Sequence, residues 1–194
     1  MGFNLIESAI VLGVVGLVIG AIWVASAKFY EDYKVNKTVE GVLSASRNIQ
    51  NLISIRDAAA IGWEGATTTM AVAKAAAFPE DWVNKNAINY TTILKHPFGG
   101  RIQVTNTGPS YFWIGLFGLP VSACVKLVVN ISNIEARARA GNPSRVNSLQ
   151  RIMVNDAPHF STTTFPVSIQ TASTAACDQE LNDATFSFGY TRTN

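Results

Sequence analysis

An uncharged apolar run near the N-terminus constrains this chain more than any other feature of its sequence. Residues 8–27 contain no Asp, Glu, Lys or Arg and are rich in Val, Ile, Leu, Gly and Ala. As an α-helix, a run of about 20 residues spans roughly 30 Å, the thickness of a bilayer core. A cleaved secretory signal is disfavoured, because no Lys or Arg precedes the run and the helical pattern continues beyond it. Residues 3–27 are therefore predicted to be a membrane-type helix.

The helical pattern becomes amphipathic over residues 28–56. Apolar residues recur there at spacings of three and four and form one stripe: Val35, Val39, Val42, Leu43, Ile49, Leu52 and Ile53. No Pro interrupts the span, so residues 3–56 are predicted to form one helix. A helix of about 50 residues is roughly 75 Å long. A domain of this size cannot bury it, so half of the helix must pack in a membrane or in a bundle of copies.

Glu7 is the one charged residue within the hydrophobic part of this helix. A lone carboxylate in hydrocarbon is costly and requires a partner. Two hypotheses remain open from the residues alone. Glu7 reaches the edge of the membrane, or it pairs with a positive charge that a protein assembly supplies.

The residues that surround Glu7 form a recognisable pattern. Gly2 precedes the apolar Phe3, Glu7 is the fifth residue counted from Phe3, and the uncharged run follows directly. Residues 2–9 resemble the prepilin processing site of the type IV pilin family. The resemblance implies cleavage after Gly2 by a prepilin peptidase and N-methylation of Phe3. It also implies a contact between the Phe3 amine of one subunit and the Glu7 carboxylate of a neighbour, where each charge neutralises the other in a dry bundle.

The residues before the processing site depart from the family pattern. The family's leader is longer and carries basic residues, whereas only Met1 and Gly2 precede Phe3 here. A leader this short would be a poor substrate for the peptidase. Residues 1–2 are interpreted as a residual leader, and we expect the native precursor to begin further upstream.

Three glycines, Gly13, Gly16 and Gly20, interrupt the apolar run. Gly16 and Gly20 have the small-xxx-small spacing that lets membrane helices approach closely. Each glycine also weakens a helix by roughly 1 kcal/mol relative to Ala. The glycines are either ordinary membrane-helix composition or, as the family resemblance implies, assembly positions where the helix melts locally in a filament.

Residues 57–194 are predicted to form a globular head of mixed helix and strand. Strand patterns occur at 101–105, 111–117, 151–155 and 184–190. A helix pattern occurs at 121–129, with Val121, Cys124, Val125 and Val128 on one face. Residues 169–177 could form a short helix, and residues 66–77 a weak helix or a loop. A long helix followed by several non-adjacent strands predicts an α+β fold. In this fold an antiparallel β-sheet packs on the amphipathic half of the N-terminal helix.

Several motifs in the head extend the resemblance to the type IVb subclass of pilins. They are the sequences at 79–82 and at 97–100 before a strand, the group at 119–127, and the pair 176–177 before the last strand. These motifs are less specific than the N-terminal one. Together with it, they cover most of the chain.

The two cysteines, Cys124 and Cys177, are too far apart for a zinc-binding CxxC pair. An exported bacterial domain favours a disulfide, although two unpaired buried thiols remain the alternative. In the pilin family, such a bond encloses a C-terminal D-region, here 124–177.

Features of catalysis are not found in the sequence. No phosphate-binding loop, nucleotide fingerprint or zinc spacing occurs, and His96 and His159 both lie beside Pro. We therefore predict a protein that is not an enzyme and that needs no cofactor and no metal. One stretch of the sequence concentrates positive charge that could bind nucleic acid, in Arg137, Arg139, Arg145 and Arg151. No aromatic platform lies near these arginines, so nucleic acid is not an expected partner.

The resemblance implies a structural pilin subunit that polymerises through its N-terminal helix into a helical filament for adhesion, aggregation or motility. The expected partners are copies of the same chain, the bacterial inner membrane before assembly, the prepilin peptidase and the pilus assembly machinery. The expected final location is the cell surface. The alternatives are a minor pilin, a secretion-system pseudopilin, whose calcium loop would draw on Asp178, Glu180 and Asp183, or a monomeric membrane-anchored binding domain.

Overall fold

A computed structural model of the chain describes residues 4–55, 65–106, 110–142 and 148–190. The chain separates into two compact units, Met1–Lys34 and Val35–Asn194. The elements in chain order are α1 (Leu5–Ile55), α2 (Gly65–Lys74), α3 (Tyr90–Ile93), β1 (Ile102–Asn106), β2 (Tyr111–Pro120), α4 (Val121–Gly141), β3 (Leu149–Val154), β4 (Ala157–Ser161), α5 (Ile169–Ala175) and β5 (Leu181–Gly189). A short 3-10 helix, Glu80–Trp82, lies between α2 and α3.

The apolar stripe predicted for the second half of α1 is confirmed. Five residues of the stripe are buried: Val35, Val39, Val42, Ile49 and Ile53. The other two, Leu43 and Leu52, are partly buried. Polar side chains beside the stripe attach the helix to the head. Asn48 Nδ2 donates to the carbonyl of Ala77 at 3.0 Å, and Gln50 Nε2 donates to the carbonyl of Gly189 at 2.9 Å.

The head contains one five-stranded sheet with the order β1-β2-β5-β3-β4, in which every neighbouring pair is antiparallel. One row of opposed side chains crosses all five strands: Val104, Ile114, Phe186, Ile152 and Phe160. Each of these side chains is at most 5% exposed. Because cross-strand neighbours on one face pack directly, this row forms the centre of the core beneath the sheet. The predicted α+β fold is therefore confirmed.

Strand β1 is an edge strand, and α2 covers its free side. The hydroxyl of Thr69 accepts from Val104 N at 2.9 Å and donates to the Val104 carbonyl at 3.1 Å. One side chain thus satisfies both backbone groups that an edge strand leaves unpaired. Of the weak helix or loop that the sequence left open over 66–77, the structure has a helix, α2, which ends at Lys74.

The opposite edge strand, β4, is not predicted from the sequence pattern. It follows a two-residue turn in which Asn155 and Asp156 have positive φ values of 52° and 62°. Two consecutive residues with positive φ are typical of the tight turns that join antiparallel strands. Pro158 lies within the strand. Proline is tolerated there because an edge strand has a free side.

Helix α4 is longer than predicted, and one of the four residues predicted to share its apolar face is exposed. Cys124, Val125 and Val128 are buried as expected, but Val121 is 41% exposed because it begins the helix directly after Pro120, the N-cap. The helix continues past the predicted end to Gly141.

The part of α4 that the sequence pattern missed carries a charge pair that is largely buried. Arg139 Nε donates to Glu135 Oε1 at 2.9 Å, and both side chains are at most 20% exposed. Charged residues at these positions interrupt the apolar period, so the sequence pattern ends too early. In the structure the pair satisfies both charges, and the helix continues.

Candidate assembly surface

Asn4 defines the start of α1. Its carbonyl accepts from the amides of Glu7 and Ser8 at 3.0 and 3.2 Å, and its side-chain Oδ1 accepts from Ile6 N at 3.4 Å. Side-chain acceptors of this kind satisfy donors that a helix start leaves unpaired. Helix α1 begins at Leu5 in the structure, whereas the sequence analysis placed its start at residue 3. Gly2 and Phe3 lie outside the described residues, so the expected contact of Phe3 is not part of the structure.

The first half of α1 carries exposed apolar side chains on every side. At about 100° per residue, Ile6, Leu12 and Val18 point in directions roughly 120° apart, and they are 67%, 71% and 54% exposed. A helix that is apolar all round requires an apolar surrounding. In the described part of the chain, one helix, with the range Ile6–Ile53, is long and apolar enough to cross a membrane, by length and composition only.

Charged residues mark the two ends of this apolar surface, and exposed aromatic residues lie near its C-terminal end. Glu7 and Lys28 are separated by about 32 Å of helix, close to the thickness of a bilayer core. Trp23, Tyr30 and Tyr33 are at least 60% exposed. Tryptophan and tyrosine are enriched where membrane meets water. The sequence analysis missed these aromatic residues, although their position beside the first lysine is the signal that identifies them.

No described residue packs against the three glycines of the apolar helix. Apart from the backbone of the helix itself, the described part of the chain has no heavy atom within 4 Å of a Cβ added at Gly13, Gly16 or Gly20. At about 100° per residue, the three positions lie within roughly 60° of each other on one face. This face is smooth and open, which would permit another helix to approach closely.

The disulfide predicted for the head is present. It joins Cys124, near the start of α4, to Cys177, which follows α5, and both cysteines are at most 1% exposed. The segment that it encloses contains most of α4, all of β3 and β4, and α5.

Asn155 connects the turn before β4 to the end of this segment, and the sequence analysis did not identify it. Its Nδ2 donates to the Ala176 carbonyl at 3.2 Å and to Asn182 Oδ1 at 3.0 Å. Its Oδ1 accepts from Asp183 N at 3.0 Å. A single side chain thus holds three segments together. An asparagine between two apolar runs is the signal for its turn conformation, but nothing local indicates its distant partners.

Arg139 is committed to contacts inside the head. Besides Glu135, it donates through Nη2 to Ser148 Oγ at 2.7 Å and to the Leu149 carbonyl at 3.0 Å. Arg137 and Arg151 are exposed, and Arg145 lies outside the described residues.

The acidic residues considered for calcium do not form a site among the described residues, which contain no group of three or more His, Cys, Asp or Glu that could hold a metal ion. Asp183 Oδ1 instead accepts from Gly118 N at 2.9 Å.

His96 is a buried structural residue in the tight turn before β1. Its Nε2 lies 3.0 Å from the Phe117 carbonyl, and its Nδ1 accepts from Phe98 N at 3.2 Å. One nitrogen donates and the other accepts, which is the arrangement of a neutral imidazole. Burial lowers the pKa of His96 below its usual value, and the hydrogen bond to Phe117 offsets this in part.

Comparison with known proteins identifies the fold. No protein-family model and no curated protein matches the sequence. Among solved structures, the chain is similar to a type IVb pilin from Salmonella typhi, with a TM-score of 0.52 and 20% sequence identity. The match covers 80% of this chain and 98% of that chain. The long N-terminal helix and the five-stranded antiparallel sheet of this chain therefore form the type IV pilin fold.

Proposed function

We propose that this chain is a structural subunit of a type IV pilus of the type IVb kind, which polymerises through its N-terminal helix into a surface filament. The observation that carries the proposal is the exposed apolar surface of α1, which surrounds the helix from Ile6 to Val24. A membrane accommodates it in the single chain, and a bundle of copies accommodates it in a polymer.

The two environments place different demands on Glu7. In a bilayer, the spacing of Glu7 and Lys28 lets both charges reach the headgroups, so Glu7 needs no partner. In a bundle of helices no water is near, and the carboxylate requires a positive charge. The amine of a processed Phe3 on a neighbouring copy is the partner that we propose. Removal of residues 1–2 by the peptidase and methylation of that amine belong to the same proposal.

The glycine face would form part of the contact between helices in the filament. Gly13, Gly16 and Gly20 share one open side of α1. Larger residues there would hold neighbouring helices apart, because small residues set how closely helix backbones approach. Before assembly, the chain would reside in the bacterial inner membrane, and the assembly machinery would transfer it to the filament.

The first test is electron microscopy of fibres sheared from producing cells, together with N-terminal sequencing of their main protein. We expect thin filaments composed of this chain, beginning at a methylated Phe3. Filaments in which this chain is a rare component would indicate a minor pilin or a pseudopilin. A chain that remains in membranes as a monomer, with no fibre that contains it, would refute the filament proposal in favour of an anchored binding domain.

A Glu7→Gln variant separates assembly from anchoring. Glutamine keeps the size of the side chain and removes its charge, so membrane insertion should continue. We expect the variant to accumulate in membranes and to form few or no filaments. Glu40→Gln makes the same change at an exposed position in the second half of α1 and is the matched control, which should form filaments normally. Normal filament formation by Glu7→Gln would contradict the proposed pairing.

A further inference from the structure

A mostly apolar groove of about 450 Å³ lies on the head between the end of α2 and the start of α3. Its lining includes Ala73, Phe78, Val83 and Ile93. Ile88, which follows a lining residue in the chain, is 93% exposed. An exposed isoleucine beside an open apolar groove forms a larger patch that water hydrates poorly, and such patches mark interaction sites.

The rim of this groove is positively charged. Lys74 and Lys85 both line it and are exposed. Lys85 is neutralised by an ion pair with Glu80. Among the described residues, Lys74 has no ion-pair partner. The groove therefore combines an apolar floor with one uncompensated positive charge.

A segment with the opposite character lies elsewhere on the head. Residues 178–181 follow the disulfide and lead into β5, and they present Asp178, Glu180 and Leu181 to solvent. Leu181 is 60% exposed. Among the described residues, Glu180 has no ion-pair partner. The segment is thus an apolar side chain flanked by negative charge.

This segment is held in place before any partner binds. Asn182 Oδ1 accepts from Gln179 N at 3.2 Å, and Asn182 Nδ2 donates to the Gln179 carbonyl at 2.7 Å. The disulfide at Cys177 fixes its other end. A loop that is already ordered loses little conformational entropy on binding, which favours a role in recognition.

The groove and the 178–181 segment occupy different parts of the head. Helices α2 and α3 contact the edge strand β1. Leu181 instead pairs with Pro120 at the end of a central strand, β2. Two different complementary surfaces on one chain produce a head-to-tail contact, which repeats without closing in a helical filament.

We propose that the 178–181 segment of one copy docks in the groove of a second copy, with Leu181 beside Ile88 and Glu180 close to Lys74. This inference rests on the proposed filament function, and it names the contact between heads that the helix bundle alone does not provide. Leu181 loses water against the apolar floor. The charges of Glu180 and Lys74 compensate each other at the rim and select the register.

Cysteine cross-linking in intact filaments tests the contact directly. Both native cysteines are in the disulfide, so a chain with Lys74→Cys and Glu180→Cys has two new thiols. We expect mild oxidation of sheared filaments to produce a ladder of linked chains on a non-reducing gel, which disappears on reduction. The matched control carries Arg151→Cys and Glu180→Cys, because Arg151 is exposed on β3, away from the groove. The control should produce no ladder.

Charge exchange tests the same contact without new thiols. Lys74→Glu and Glu180→Lys should each lower the filament yield about fivefold, the effect of one unfavourable surface charge pair. The double variant should restore the yield. The membrane pool of each variant, with its native disulfide intact, establishes that the chain still folds.

The outcomes separate this inference from the proposed function. If the unsubstituted chain forms no filaments, the proposed function is wrong and the docking contact falls with it. If filaments form, but the 74/180 pair gives no ladder or the control gives an equal one, only the docking contact is wrong. A double charge exchange that fails to restore the yield also contradicts the docking contact.

Discussion

The contact between Gly41 of α1 and the ring of Trp82 allows a stability prediction to be worked from the structure. A Cβ added at Gly41 would lie within 3 Å of three ring carbons of Trp82, Cη2, Cζ2 and Cζ3. The indole is 2% exposed. Its backbone is held by hydrogen bonds from Trp82 N to the Pro79 carbonyl at 3.0 Å and from Lys95 N to the Trp82 carbonyl at 2.9 Å. The ring therefore cannot retreat without moving the segment that carries it.

Two opposing effects set the magnitude for Gly41→Ala. Alanine stabilises a helix interior by up to about 1 kcal/mol relative to glycine. Inserting a methyl group into a packed core costs about 1–3 kcal/mol. Because the new group would meet three atoms of one rigid ring, we take the upper end of that range. The expected net loss is about 2 kcal/mol in the free energy of unfolding.

Thermal and urea unfolding of the full chain in mild detergent, followed by near-UV circular dichroism, measures this loss. Gly141→Ala is the matched control, because Gly141 also lies in a helix, and outside the helix backbone no heavy atom of the described residues is within 4 Å of the added group. It should leave stability unchanged or slightly higher. Trp82→Phe removes the part of the indole that the new methyl group would meet. The double variant should therefore lose less than the sum of the two single variants.

Either of two results would refute this reasoning. If Gly41→Ala is as stable as Gly141→Ala, the contact does not restrict the position. If the two substitutions at 41 and 82 are additive, the loss at Gly41 does not arise from the ring of Trp82.

Three further predictions concern other parts of the chain. Replacing Cys124 and Cys177 with serine removes a cross-link between residues 53 positions apart. In the chain-entropy model, this should lower the free energy of unfolding by about 4 kcal/mol. Urea unfolding with and without reductant measures the loss, and a variant as stable as the oxidised chain would contradict it. Burial lowers the pKa of His96 in the folded chain below the ordinary value of 6.5, so the unfolded chain binds more protons at pH values between the two. The free energy of unfolding should therefore fall as the pH drops below about 6.5, by up to about 1.4 kcal/mol per pH unit. His96→Gln should remove this part of the pH dependence. If the unfolding free energies of the variant and the unsubstituted chain change in parallel with pH, His96 does not cause the dependence. Gly16→Leu should reduce filament formation while membrane insertion continues, because a large side chain on the open glycine face keeps helices apart. The measurements are the fibre yield and the amount of the chain in the membrane fraction. An unchanged fibre yield would show that this face is not part of the assembly contact.

Much of the fold could be predicted from local patterns. The period of the amphipathic stripe placed Val35 to Ile53 on the buried side of α1, and alternation located four of the five strands. The bounds were less accurate where a buried polar pair replaced apolar residues, as Glu135 and Arg139 do in α4. Strand β4 was missed, because a short run that contains Pro158 carries little strand signal.

The candidate assembly surface was also readable in part. The uncharged run, the position of Glu7 and the glycine spacing are properties of consecutive residues, so they required no tertiary information. The partners of Asn155 and the groove beside Ile88 could not be found in this way. Asn155 contacts residues more than twenty positions away, and the groove exists only because separate short helices leave a gap between them.

The sequence by itself determined that this chain has a long helix, apolar at one end and amphipathic at the other, followed by an antiparallel head. The reason is that helix and strand periods, charge and length act locally along the chain. Only the tertiary structure decided that the last strand, β5, lies between β2 and β3. The alternation of apolar and polar residues specifies that Phe186 lies on the buried face of its strand. It does not specify that Ile114 and Ile152 are the neighbours of Phe186. That choice depends on how all five strands share one core, which no segment specifies alone.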